Sequence, residues 1–126
     1  MAGERVLVVE DNEKNMKLVR DILQATGYEP LEASTGEQAL ALAAEATPAL
    51  VLMDIQLPDL DGAEALRRLR ADERTAAIPV LALTAQAMQG DRERFLAAGF
   101  DDYLSKPVDV DELIETVRRY CGGGTG

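Results

Sequence analysis

Three short apolar runs constrain this chain more than anything else in it. Val6-Leu7-Val8-Val9, Leu50-Val51-Leu52-Met53 and Val80-Leu81-Ala82-Leu83 each place four apolar residues together without a polar break. A strand wetted on one side alternates apolar and polar residues. A continuous run reads instead as a strand buried on both faces, as in parallel sheets. Pro79 stands directly before the third run, where a strand can begin without losing a ladder hydrogen bond. Two weaker strands are expected at residues 29–33 and 102–105.

Helical patterns fill the spaces between these runs. Over residues 14–26, Leu18, Val19, Ile22 and Leu23 form one stripe, and Gly27 is placed to end the helix. Residues 36–46 are rich in Ala and Leu and stop before Pro48. Residues 63–71 put Leu66 and Leu69 on one side. Residues 110–120 space Val110, Leu113, Ile114 and Val117 at helical intervals, with Asp109 as the expected N-cap. Residues 87–98 make the poorest stripe and contain Gly90, so that helix is expected to be the least firmly packed. Strand followed by helix, five times over, predicts an α/β fold: a doubly wound five-stranded parallel sheet with helices on both faces. One domain over residues 1–121 accounts for the pattern, and residues 122–126 read as a flexible Gly-rich tail.

Composition removes several function classes. The chain has no histidine, which excludes Ser-His-Asp and Cys-His catalysis and most zinc sites. Its single cysteine, Cys121, cannot make an internal disulfide. A net charge of −10 argues against a nucleic-acid partner. No apolar run approaches a membrane span, and the start of the chain has no signal-peptide pattern, so a cytoplasmic protein with no membrane partner is expected.

The polar residues fall at one edge. Glu10 and Asp11 follow the first run, Asp54 the third segment's run, Thr84 the fourth strand, and Lys106 the fifth. In an open parallel sheet, ligands bind outside the carboxyl ends of the strands. Singly, each residue has a plain structural reading: Asp11 as a helix cap, Lys106 as a surface lysine, Thr84 as an ordinary strand residue. Asp54 is harder to dismiss, because a charge at the end of a buried run needs a partner. Clustered carboxylates suit a hard, small cation such as Mg²⁺. With such a cation present, Asp54 can act as a carboxylate nucleophile and form an aspartyl phosphate. Lys106 can supply positive charge and Thr84 a hydroxyl donor to phosphoryl oxygens.

Taken in order, Val6-Leu7-Val8-Val9-Glu10-Asp11-Asn12, Val51-Leu52-Met53-Asp54-Ile55-Gln56-Leu57-Pro58, Asp61-Gly62, Leu83-Thr84-Ala85 and Asp102-Tyr103-Leu104-Ser105-Lys106-Pro107 resemble response-regulator receiver domains of two-component systems and phosphorelays. Residues 11–17 look most like the receivers of DivK-type single-domain regulators and of hybrid histidine kinases. The resemblance implies a flavodoxin-like strand order 2-1-3-4-5. It also implies Asp54 as the phosphoacceptor, with a histidine kinase or histidine phosphotransfer protein as donor. Mg²⁺ would be held by Glu10, Asp11, Asp54 and the Gln56 backbone carbonyl. Thr84 and Lys106 would contact the phosphoryl group, Tyr103 would be the switching aromatic, and Lys106-Pro107 a cis peptide. The chain would then be a signalling switch, not an enzyme beyond its own phosphorylation and dephosphorylation.

Further expectations follow for surfaces. Asn15, Pro107 and Val108 would meet the phosphodonor. The face from Ala87 to Tyr120, carrying Met88, Arg92 and Tyr103, would meet a downstream target protein or a second copy in a homodimer. Gln56 and Gln86 are amides able to steer the hydrolytic water. The competing reading is a haloacid-dehalogenase-like phosphatase, which also uses an aspartyl phosphate. It expects an acid two positions after the nucleophile on the first strand, whereas Gln56 holds that place here, on the third. A flavin binder lacks stacking aromatics, and an EF-hand reading of Asp59-Leu60-Asp61-Gly62 lacks the remaining ligands.

Overall fold

In the computed structural model the sheet is built from β1 (Arg5–Val9), β2 (Glu29–Ala33), β3 (Leu50–Asp54), β4 (Val80–Thr84) and β5 (Asp102–Ser105). All pairings are parallel, in the order β2-β1-β3-β4-β5. The structure describes residues 3–85 and 91–121, with the side chains of Asp91 and Arg92 left aside. Gln86, Met88 and the tail from residue 122 lie outside the described residues, as does the first part of the helix expected from residue 87.

The helices are α1 (Glu13–Ala25), α2 (Gly36–Ala46), α3 (Gly62–Ala71), α4 (Asp91–Ala98) and α5 (Val110–Tyr120). Their starts follow from capping chemistry. Asn12 accepts hydrogen bonds from the backbone N–H groups of Lys14 and Asn15, Asp61 from those of Ala63 and Glu64, and Asp109 from that of Glu112. Gly27, with φ of 91°, follows the end of α1, where Tyr28 N–H returns to the Leu23 carbonyl.

The sheet separates two apolar clusters. One joins Val6, Val8, Leu50, Leu52, Leu81, Leu83 and Leu104 to the inner faces of α1 and α5. The other joins Leu7, Val9, Val51, Met53, Val80 and Ala82 to α2, α3 and α4. Successive strand residues point to opposite faces, so a four-residue apolar run feeds both clusters at once. Complete burial of one Leu side chain contributes about 1.5–3 kcal/mol, so these short runs hold much of the folding free energy.

Two residues depart from the expected stripes. Leu18 is 39% exposed and Val110 is 46% exposed. The buried face of α1 is instead Met16, Val19, Ile22 and Leu23. Leu18 sits one residue, about 100° of helix, from Val19 and is carried out of the interface. Val110 opens α5 before its inner face meets the sheet.

Candidate functional site

The site sits at the carboxyl edge of the three central strands, where each strand hands over to a loop. Glu10 directly follows β1, Asp54 ends β3, Thr84 ends β4, and Lys106 follows β5. Asp54, Thr84 and Glu10 are all nearly inaccessible, at 5%, 1% and 2% exposure. Asp11 is exposed. Register explains the convergence: Val9 pairs Met53, Asp54 pairs Leu83, and Thr84 pairs Ser105, so the strand ends lie side by side.

Asp54 is held through both carboxylate oxygens. Oδ1 accepts the Gln56 backbone N–H at 2.9 Å, and Oδ2 accepts Lys106 Nζ at 2.7 Å. Lys106 Nζ is also 2.7 Å from Glu10 Oε1. That second contact is an ion-pair distance without hydrogen-bond geometry, and Glu10 Oε1 has no hydrogen-bond partner. Glu10 Oε2 accepts the Asn12 N–H at 3.1 Å, which ties the carboxylate to the start of α1.

Electrostatics follow from this crowding. Burial pushes the Glu10 carboxyl above its ordinary range; Lys106 opposes the shift and the neighbouring Asp54 adds to it. Burial disfavours the Lys106 charge, but the Asp54 and Glu10 carboxylates outweigh it and raise the ammonium above its usual value. One ammonium therefore serves two buried carboxylates, leaving the cluster short of positive charge.

One oxygen each from Glu10, Asp11 and Asp54 falls within 4.8 Å of the others, a spacing suited to a shared cation. All the donors are hard oxygens, and Glu10 Oε1 is buried with a lone pair unengaged. The residues present fit Mg²⁺, which prefers carboxylates and keeps several waters. A cleft of about 50 Å³ lined by Asp54, Gln56, Thr84 and Lys106 opens beside the cluster. It is small, and its relevance rests on the charged groups that face it; a cleft of about 500 Å³ between β5 and α5 contains none of the central site residues.

Tyr103 on β5 is half-buried and packs its ring 5.6 Å from that of Phe95 on α4. The Lys106–Pro107 peptide is cis. Asn15 is half-buried on α1 and Pro107 is exposed.

Two residues near the site escaped the sequence reading. Asn12 both caps α1 and steadies Glu10 through its own N–H. Its position just before a helix was a usable capping signal. Asp59 in the loop after β3 caps α2 from a distance, accepting the N–H of Gly36 at 2.7 Å and of Glu37 at 3.0 Å. No local pattern announces a cap supplied from 23 residues away.

Strand order, helices on both faces and an acid cluster at the switch point define a doubly wound domain with its charged groups gathered at the carboxyl edge. The chain belongs to the response regulator receiver domain family, whose model matches residues 6–118. It is 50% identical over 117 residues to the polar-differentiation response regulator DivK of Brucella ovis, covering 93% of this chain and 95% of that protein. Among solved structures, it resembles the receiver domain of sensor histidine kinase PA1611 of Pseudomonas aeruginosa, which has a magnesium ion coordinated in its active-site cleft. That similarity has a TM-score of 0.87 and 42% identity, over 96% of this chain and 99% of that one. It also resembles a chain of the co-crystal structure of the Saccharomyces cerevisiae histidine phosphotransfer protein Ypd1 with the receiver domain of its downstream regulator Ssk1. There the TM-score is 0.85 and the identity 30%, over 96% of this chain and 90% of that one. The chain is thus a DivK-like receiver domain of two-component signalling. Among the described residues, no helix is long and apolar enough to cross a membrane.

Proposed function

We propose that this receiver is a phosphoryl-accepting switch whose acceptor is Asp54. The observation that carries the reading is the double hold on its carboxylate, by the Gln56 N–H and the Lys106 ammonium, beside Glu10 and Asp11. Asp54 attacks the phosphorus of a phosphohistidine on a histidine kinase or histidine phosphotransfer protein. An O–P bond forms, the N–P bond breaks, and the imidazole leaves with the electron pair. Glu10, Asp11, Asp54 and the Gln56 carbonyl would hold Mg²⁺, which supplies charge neutralisation for the carboxylates and the phosphoryl oxygens. Lys106 stays protonated and offers its charge to the same oxygens. Pre-set contacts of this kind matter because phosphoryl transfer asks mainly for positioning and charge.

The signal then leaves through Thr84 and Tyr103. Thr84 donates its hydroxyl to the new phosphoryl oxygens, and Tyr103, paired in register with Ala82 on the neighbouring strand, turns inward. The face formed by α4, β5 and α5 meets the target protein. Leu96 on α4 is 40% exposed, which suits a helix expected to be the least firmly packed and so to move most.

The test is incubation with acetyl phosphate and Mg²⁺, read by intact mass. One phosphoryl adduct is expected, absent in Asp54→Asn and in excess EDTA; an undiminished adduct in either would sink the assignment. For the relay, amide NMR shifts on adding beryllofluoride and Mg²⁺ should reach α4 and Tyr103. Shifts confined to the loops around Asp54 would reject that part alone.

A further inference from the structure

We infer that Asp59 is a positioning residue for cation binding: by capping α2 with both carboxylate oxygens it fixes the loop that carries Gln56. The inference rests on the functional reading above and extends it to a residue outside the acid cluster.

The geometry is a closed circuit of contacts. From Asp54 Oδ2 it runs to Lys106 Nζ at 2.7 Å and on to Glu10 Oε1 at 2.7 Å. The Glu10 N–H then reaches the Ala33 carbonyl at 2.9 Å, at the end of β2. Three residues further along, the Gly36 and Glu37 N–H groups at the start of α2 are bound by Asp59. From Asp59 the loop returns through Gln56, whose N–H closes on Asp54 Oδ1 at 2.9 Å. Every link but one is backbone or a residue already placed in the site. Asp59 is the exception, and it joins the loop after β3 to the loop after β2.

The join is specific. A helix start leaves its first N–H groups without intrahelical partners. At α2 the local cap, Thr35, takes only the Gln38 N–H. Asp59 takes the two that remain nearest the end, one with each oxygen. These two N–H groups, Glu37's foremost, hold its carboxyl below the ordinary range. Leu60 follows into the same contact: a Cβ on Gly36 would lie 2.8 Å from Leu60 Cδ1 and 2.9 Å from its Cβ. Gly36 has no side chain, so the loop can approach this closely. Within the loop, Gln56 is bridged to Asp61, and the Gly62 N–H donates to the Ile55 carbonyl at 3.0 Å. The segment is fastened at both its ends, and Asp59 fastens its middle.

A carbonyl ligand contributes most to cation binding when it is already in place. Releasing the middle of the loop makes Gln56 reorder on binding, which lowers affinity without removing any ligand. Thr35 separates this effect from a general weakening of α2. Thr35→Ala removes the other cap from the same helix end and leaves the loop after β3 fastened.

The experiment is Mg²⁺ titration of the full chain, read from the amide NMR shifts of Asp11, Asp54 and Gln56. It is run on wild type, Asp59→Ala, Asp59→Asn and Thr35→Ala, with thermal unfolding of each. Asp59→Ala should bind Mg²⁺ about three- to tenfold more weakly, less than the loss usual for a partner in direct contact with a ligand. Asp59→Asn keeps one accepting oxygen and should fall between Asp59→Ala and wild type. Thr35→Ala should lose stability and keep wild-type affinity. Wild-type affinity in Asp59→Ala overturns the inference, as does an equal loss in Thr35→Ala or no recovery in Asp59→Asn. A wild-type chain that gives no Mg²⁺-dependent shifts at Asp54 overturns the functional reading itself and this inference with it.

Discussion

Lys106 Nζ stands 2.7 Å from Asp54 Oδ2 and the same distance from Glu10 Oε1, so a single ammonium is shared between two buried carboxylates. Removing one partner of a buried ion pair leaves uncompensated charge, which costs more than the pair contributes. Lys106→Ala should therefore destabilise the protein without added cation by about 3 kcal/mol, the low end of the usual range because the lysine is partly solvated. Saturating Mg²⁺ should restore much of the loss. Urea unfolding with and without Mg²⁺ checks both; a variant as stable as wild type without Mg²⁺ would contradict the electrostatic account.

Glu64 gives a pH dependence away from the site. It accepts hydrogen bonds from Arg67 at 3.1 and 2.6 Å and from Arg68 at 2.8 Å. Arg67 first, then Arg68, lowers its carboxyl from 4.5 to about 2. A depressed folded value means stability that is present above 4.5 and lost as pH falls toward 2. The gap in unfolding midpoint between wild type and Glu64→Gln should be constant at neutral pH and close across that window. It should also shrink in molar salt, because the pair is exposed.

The contact between Gly36 and Leu60 predicts a compensating pair. Gly36→Ala forces Leu60 aside and should cost about 1–3 kcal/mol. In a Leu60→Gly background the same substitution should cost much less, since the Cβ and Cδ1 atoms it strikes are both gone. A double-mutant cycle of denaturation midpoints measures the coupling. Additive effects would show that the loop yields without strain.

Arg70 ties the far edge of the sheet together. Its guanidinium donates to the Ala76, Ile78 and Gly99 carbonyls and to Asp101 Oδ2. The same Asp101 oxygen accepts the Val80 N–H at 2.8 Å, at the start of β4. Arg70→Met keeps the apolar stem and removes five donors; the loss of charged hydrogen bonds should cost about 2 kcal/mol. Hydrogen exchange should show faster opening of the Val80 amide, while amides of β1 and β2 stay unchanged.

The sheet was readable because both its faces are covered. Val6 to Val9 and Leu50 to Met53 had to be unbroken apolar runs, and no other short element writes itself so plainly. The order 2-1-3-4-5 came from the family resemblance, since strand neighbours are not encoded in any one segment. Glu10, Asp11 and Asp54 stood out by position, as acids where apolar runs stop. Leu18 and Val110 misled because counting apolar residues at three- and four-residue intervals does not say which of two adjacent stripes faces inward. Asp59 and Arg70 were illegible for a different reason. Asp59's partners on α2 lie 22 and 23 residues away and Arg70's carboxylate partner 31, and an acid or a guanidinium on a loop or helix surface looks the same with or without them.

The two apolar clusters share no residue, and they differ in texture. The one under α1 and α5 is filled mainly with Leu, Val and Ile. The one under α2, α3 and α4 includes Ala33, Ala39, Ala43, Ala65 and Ala82. Alanine brings few atoms to a contact and has no rotamers to lock, so neighbours on that side can slide with little penalty. Chimeras between relatives should accordingly tolerate transplanting α1 with α5 as one cassette, because the sheet screens each side from the other's substitutions.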